Sequence, residues 1–336
     1  MKLFSSLRDT SGPSAAVEIA STRVSGASVE WRGGRPAIAA HAIEALPEGA
    51  LAPSLTSANV IDRAAVAGAL ARVLERIGRP RRIALIVPDP VAKVSFVKFE
   101  RVAPRAQDLD DLIRWQVRKT APFPIEEAQV SYVQGQLTAE GQEFVVTLAR
   151  RDLIEEYERL CAGTGAHAGI VDLATFNVVN AVLAGSPAGP SGDWLLVNVA
   201  PAYVSLAILR GPTLIFFRNR VAETDGTLAD LVHQTAMYYE DRLSGAGFAR
   251  VLLAGASGEG ARHLGEVELV RRSLEDRLAA TVDTVDPRAA VTLTDRISAG
   301  PAFLDTLAPL AGILLRGAAG EPREAAERRE AGDNVA

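Results

Sequence analysis

The 336-residue chain has one cysteine, Cys161, and four histidines. A single thiol cannot close an intrachain disulfide or build a cysteine metal cluster, which fits a reducing compartment and makes the cytoplasm the default. His41, His167, His233 and His263 are scattered without metal-ligand spacing, so no metal site is expected. No run of about 18 apolar residues exists to cross a bilayer. The most apolar stretch, Leu195 to Leu209, is interrupted by Asn198, Pro201 and Ser205 and reads as two buried strands. Met1 to Arg8 lacks an apolar core of signal-peptide length, so membrane association is expected through a partner. Positive charge is not in excess either, since 36 Lys and Arg against 41 Asp and Glu give −5. Counterion release on nucleic acid needs clustered cations, and no Arg pair here extends into a patch, so DNA and RNA are set aside.

What the chain has is a large apolar fraction, 48%, and enough length for two domains or one two-lobed unit. Ala15 to Ile19, Val24 to Trp31 and a run through Ile43 read as a strand meander, with a turn at Arg32-Gly33-Gly34-Arg35. An amphipathic helix follows, capped by Asp62 and stopped by Gly78 and Pro80, then a buried strand from Ile83 to Val87. From about residue 90 a small α/β unit begins. It holds a strand over Lys93 to Phe99 and a helix from Gln107 to Lys119 with acids in its first turn and bases in its last. Strands near Gln129 to Val133 and Phe144 to Leu148 come next, then a helix capped by Asp152. A strand and helix from Gly169 to Leu183 close this half, and Gly185 to Gly192 reads as a linker.

Beyond the linker the meander starts again. At an offset of 180 residues, Val17-Glu18-Ile19-Ala20 falls on Val197-Asn198-Val199-Ala200, and Val24-Ser25 on Val204-Ser205. Arg32-Gly33-Gly34 finds a near counterpart, two residues out of step, in Arg210-Gly211-Pro212. Thr227 and Asp230 form a capping box for a helix, Val251 to Gly255 is a buried strand with a small-residue turn, and two more helices end near Arg316. The tail from about Ala318 is rich in Glu and Arg without apolar period and reads as disordered.

Two lobes, each opening with a hairpin whose turn faces the other, is the layout of the actin and sugar-kinase fold, where such turns aim backbone N–H groups at nucleotide phosphates. The segment from Ile113 through Trp115, Pro122-Phe123-Pro124 and Glu127 closely resembles the corresponding stretch of the PilM family, actin-like cytoplasmic proteins of type IV pilus assembly. Leu307 to Arg316 is similar to that family's last helix. The resemblance implies an α/β, FtsA-like two-lobed fold. Residues 1–88 and 166–186 would form the first-lobe core, 89–165 an inserted α/β subdomain, 187–317 the second lobe and 318–336 a disordered tail. It also implies a PilN-like membrane protein as partner, its cytoplasmic N-terminus held in a groove beside the insertion, with Trp115 and Phe123 as candidate pocket residues. The protein is then expected at the inner membrane through that partner, with self-association left open.

The family also implies ATP and Mg between the lobes, and here this sequence departs from the pattern. Glu18 stands for the usual Asp, Ser25 for the Lys, Asn198 and Ala200 for the second Asp and Gly, and Gly255-Ala256 for a Gly-Gly turn. Only about ten residues separate Phe217 from the helix at Leu228, where the family has more. Alanine restores the Cβ that glycine omits, and Asn198 brings no charge to a hydrated metal. Ser21, Thr22 and Gly255, with Glu18 and Asn198, are the cofactor candidates of a degenerate cleft, and no catalytic residue is expected. An adaptor that catalyses nothing is the leading reading. An active ATPase of the same fold, a GspL-like type II secretion component and a sugar kinase remain as alternatives. Cys161 lies on the apolar stripe of its helix and reads as a packing thiol. Gly255-x-x-Gly258-x-Gly260 departs from the dinucleotide order Gly-x-Gly-x-x-Gly.

Overall fold

The computed structural model describes residues 12–186, 192–221, 227–257, 267–294 and 299–316. β1 (Ala15–Ile19), β2 (Arg23–Arg32) and β3 (Arg35–Ala45) form an antiparallel meander. Its second turn has Gly33 and Gly34 at φ 57° and 77°, the paired positive φ of a two-residue hairpin turn that only glycine takes without strain. α1 (Arg63–Arg76) starts at Asp62, whose carboxylate accepts from the Ala65 amide, and buries Val66, Leu70 and Val73 in the first-lobe core. β4 (Arg82–Val87) then pairs parallel to β1.

The inserted unit comprises β5 (Ala92–Phe99), α2 (Ala106–Arg118), β6 (Ala128–Thr138) and β7 (Gly141–Arg150). They form a three-stranded sheet of order β5-β7-β6 with α2 on one face. Alternation along β7 sends Phe144, Val146 and Leu148 toward Ile113 and Val117 of α2, and leaves Val145 and Thr147 for the opposite face. α3 (Arg151–Gly163) belongs elsewhere, because Tyr157, Leu160 and Cys161 pack into the first-lobe core. The packing therefore changes over at Arg150 rather than at residue 165. The N-cap of α3 is Arg150, not Asp152 as the sequence suggested. Asp152 lies within the first turn and is engaged by Arg150 Nε at 2.7 Å. β8 (His167–Leu173), parallel to β4, and α4 (Ala174–Ala184) complete this half.

β9 (Asp193–Val199), β10 (Tyr203–Arg210) and β11 (Thr213–Val221) repeat the meander. α5 (Leu228–Leu243) carries the expected capping box at Thr227 and Asp230. β12 (Arg250–Ala254), α6 (Val267–Leu278) and β13 (Val282–Thr284) follow, then β14 (Thr292–Leu293), which adds to β3, and α7 (Pro301–Leu315). The two large sheets run β3-β2-β1-β4-β8 and β11-β10-β9-β12-β13, the same order built from the same sequence of elements. This is the two-lobed actin-like architecture, with its insertion after β4. α7 crosses α4 so closely that a Cβ on Gly312 would stand 1.7 Å from the Asn177 carbonyl oxygen. Among the described residues no helix is long and apolar enough to cross a membrane. The expected tail and most of the linker lie outside the described residues, as do Gly258 and Gly260.

Candidate functional site

The repeated hairpins meet at a cleft. Glu18, Ser21, Asn198, Ala200 and Gly255 line it, Glu18 and Asn198 from corresponding strands of the two hairpins, whereas Thr22 is exposed and outside its lining. The two turns match in detail, since the Ala20 amide donates to Arg23 O at 2.9 Å and the Ala200 amide to Tyr203 O at 2.9 Å. Each turn thus spends an N–H on its own closure, the second also that of Tyr203, and the second contains Pro201, which has none to offer.

Two further side chains, Arg23 and Asp305, fill the cleft, and neither was visible from local pattern. Arg23 reaches in and pairs with Glu18 at 3.0 Å, while Ser25 donates to the same carboxylate oxygen at 3.1 Å. Asp305, on the first turns of α7, accepts from the amides of Gly255 at 2.9 Å and Ser257 at 2.7 Å. The turn that would face a ligand is therefore already holding a carboxylate; burial raises the pKa of Asp305, opposed by those amides and by Arg23. Gly255 is at φ 75°, and a Cβ there would lie 2.0 Å from Val199 O, so glycine is required for this turn. The free space that remains is about 40 Å³.

Behind the cleft a hydrogen-bonded chain joins the lobes. Asn198 Nδ2 donates to Thr175 Oγ1 at 2.7 Å, Asn219 Nδ2 to Ser205 Oγ at 2.8 Å, and both hydroxyls donate to the carboxylate of Asp89, which also accepts from the Thr175 amide at 3.0 Å. Asp89 is wholly buried just after β4, and desolvation pushes its pKa up to about 6 despite the Ser205 and Thr175 donors. Removing one member of such a buried chain leaves its neighbours unsatisfied, so the chain is specific for this lobe arrangement.

A much larger cavity, about 730 Å³, opens on the other side of α4. Its walls are the exposed face of the inserted sheet, α3, the β8–α4 junction and the tip of the β10–β11 hairpin. Val133, Val145, Phe176 and Leu214 supply apolar surface, with Ser131 and Thr147 between them. Among the described strands β6 pairs only with β7, so its outer edge along the rim has no neighbouring strand. α4 is the shared wall: Phe176 and Val179 face the groove, Val178 the cleft.

The sequence profile of type IV pilus assembly protein PilM matches residues 16–242, which include both hairpins, the inserted sheet and α4. The chain belongs to the PilM family. A solved structure described as the PilM-PilN type IV pilus biogenesis complex is similar at a TM-score of 0.75 and 19% identity, covering 92% of this chain and 99% of that one. The cytoplasmic domain of EpsL, an inner membrane component of the type II secretion system of Vibrio cholerae, is similar at a TM-score of 0.48 and 8% identity, covering 91% and 94%. A Bacteroides thetaiotaomicron protein with an actin-like ATPase fold gives 0.47 at 8% identity, covering 80% and 89%.

In this PilM-family chain Trp115 and Phe123 lie away from the groove. Phe123 packs on the α2 side of the inserted sheet, and Trp115 is 58% exposed on α2 with Lys119 Nζ 5.1 Å from its ring centroid. The groove residues gave no signal in sequence beyond strand alternation. The stretch between β11 and α5, expected to be shorter than in the family, falls mostly on residues 222–226, outside the described residues. No group of three potential metal ligands occurs among the described residues.

Proposed function

We propose that this PilM-family protein is a cytoplasmic adaptor of type IV pilus assembly. It holds the cytoplasmic N-terminal tail of a PilN-like inner-membrane protein in the groove beside β6, is peripheral at the membrane through that partner, and carries out no ATP chemistry. The observation that carries this reading is the contrast between the two cavities. Ligand sites generally enclose about 300–1,000 Å³, a range that includes the groove at about 730 Å³ and excludes the cleft at about 40 Å³. An exposed strand edge beside apolar pockets accepts an extended peptide as an added strand, main-chain bonds giving affinity and alternate side chains giving selectivity.

The cleft residues do not fit MgATP. A phosphate cradle needs several free converging amides and a neutralising cation. Here the amides of Ala20, Ala200, Gly255 and Ser257 are already engaged, Arg23 is paired with Glu18, and Asp305 sets a carboxylate at the turn. Each charge-assisted hydrogen bond forgone is worth about 1.5–3 kcal/mol, so two or three move a micromolar site to millimolar or weaker. One observation favours the alternative of an ATP-binding protein, namely that the Ser21 and Thr22 amides have no hydrogen-bond partner among the described residues.

Two titrations of the purified chain separate these readings. The N-terminal tail peptide of a PilN-like membrane protein should bind with saturable heat, and millimolar MgATP should leave the melting temperature unchanged. A ligand at 100 times its Kd adds about 2.7 kcal/mol, so an ATP-dependent rise in melting temperature favours the ATPase reading.

A further inference from the structure

The charges lining the groove are unevenly committed. Arg151, Glu155 and Glu158 stand three and four residues apart on α3 and line one wall. Arg151 is turned to the start of β6, where its Nη2 donates to the carbonyls of Glu126 at 3.5 Å and Ala128 at 3.4 Å. The other lining cation, Arg316, is held by Asp172 at 2.7 Å. The acids of the wall are freer. Glu155 meets only Arg159, at 3.7 Å, and Glu158 has no ion pair or hydrogen bond among the described residues.

We infer that the groove selects a cationic extended segment, with Glu155 and Glu158 receiving a Lys or Arg side chain or an N-terminal ammonium while apolar side chains enter between Val145 and Phe176. The inference rests on the groove being the partner site and names the chemistry of what it takes. Two independent considerations agree with it. Glu155 and Glu158 line the same cavity as Gln129 and Ser131 to Gln134 of β6, so a segment seated against β6 in that cavity shares it with the uncommitted acids. Cytoplasmic segments next to membrane spans carry an excess of Lys and Arg, and a tail that begins a chain brings its own ammonium. An acidic segment would meet Glu155 and Glu158 with both nearby cations already engaged, so like-charge repulsion disfavours it.

The test uses random synthetic peptides of 11 residues, the length of β6, with free and with acetylated N-termini. They are selected on the full chain, on the charge-reversed variant E155K/E158K, and on the uncharged blocking variant S131W/T147W. Peptides retained by the wild type and lost on blocking should be enriched in Lys and Arg or depend on a free N-terminus. Charge reversal should weaken them on the order of tenfold and shift selection to Asp and Glu. Sensitivity to acetylation assigns the cation to the ammonium, and sensitivity to Lys-to-Gln replacement assigns it to a side chain. Groove-dependent peptides with no charge bias, or unaffected by reversal, overturn the inference and leave the groove reading standing. Failure to find any peptide that S131W/T147W loses overturns both.

Discussion

Glu18 faces Ser25 across β1 and β2 in the register in which Asn198 faces Ser205 across β9 and β10. The carboxylate accepts from Arg23 and Ser25 within the first lobe, whereas the amide donates across the interface to Thr175. The duplicated positions have diverged into one group that occupies the cleft and one that fastens the lobes together.

The fastening has a pH signature. The Asp89 carboxyl moves from 3.8 to about 6 on folding, so the native state binds its proton more tightly than the unfolded chain. Its stabilising contribution is full below about 3.8 and is lost as pH rises through about 6. The melting temperature of the wild type relative to Asp89→Asn should therefore rise as pH is lowered from 7 toward 4. His41, whose pKa burial and Arg23 lower to about 4, slopes the other way but is common to both proteins and cancels in the difference. Parallel melting curves across this range would refute the assignment.

Asp305 should behave as a structural cap. Asp305→Ala strips the Gly255 and Ser257 amides of their acceptor and should cost on the order of 1–3 kcal/mol in denaturant unfolding. Asp305→Asn, which keeps acceptor oxygen, should cost less. Equal stability of all three proteins would mean that the two amide bonds are not holding this turn.

Close backbone approach makes two glycines irreplaceable. Gly255→Ala places Cβ against Val199 O in a left-handed conformation, and Gly312→Ala drives α7 from α4. Each should destabilise by about 2 kcal/mol or more. Gly33→Ala, at positive φ with open space around it, should cost less because strain acts there alone. Equal losses at the three sites, measured by chemical denaturation, would contradict the packing account.

Cys161 should be inert in the native state. Burial pushes its thiol up to about 12, and a thiol reagent at pH 8 needs both thiolate and access. Labelling is expected only with unfolding, and rapid stoichiometric labelling of folded protein would show the helix face to be open.

The distribution of what sequence revealed follows from range. The hairpins, the Asp62 cap and the Thr227–Asp230 box are written within a few residues, and the 180-residue offset repeated a pattern long enough to align. Asp305 and Gly255 stand 50 residues apart, and Asp89 and Ser205 stand 116 apart, so no local periodicity signals either pair. Arg23 pairs with Glu18 only five residues away, but no motif or apolar period marks a lone hairpin arginine as part of a cleft. Trp115 is an aromatic in the segment that resembles the family, yet α2 covers the face of the inserted sheet opposite to the groove. Which face was free could not be told from alternation alone. Trp115→Ala should accordingly leave tail binding within about twofold, while Phe123→Ala should lower stability by about 2 kcal/mol, less than the loss of a fully buried Phe.

The central claim rests on the groove, and one calorimetric comparison addresses it most directly. The N-terminal tail of the PilN-like partner is titrated into the wild type and into Ser131→Trp/Thr147→Trp, whose bulky side chains fill the open face of the inserted sheet without touching its α2 side. The account predicts binding to the wild type and a loss of tenfold or more in the variant at unchanged melting temperature. Undiminished binding by the folded variant would place the partner elsewhere and contradict the account.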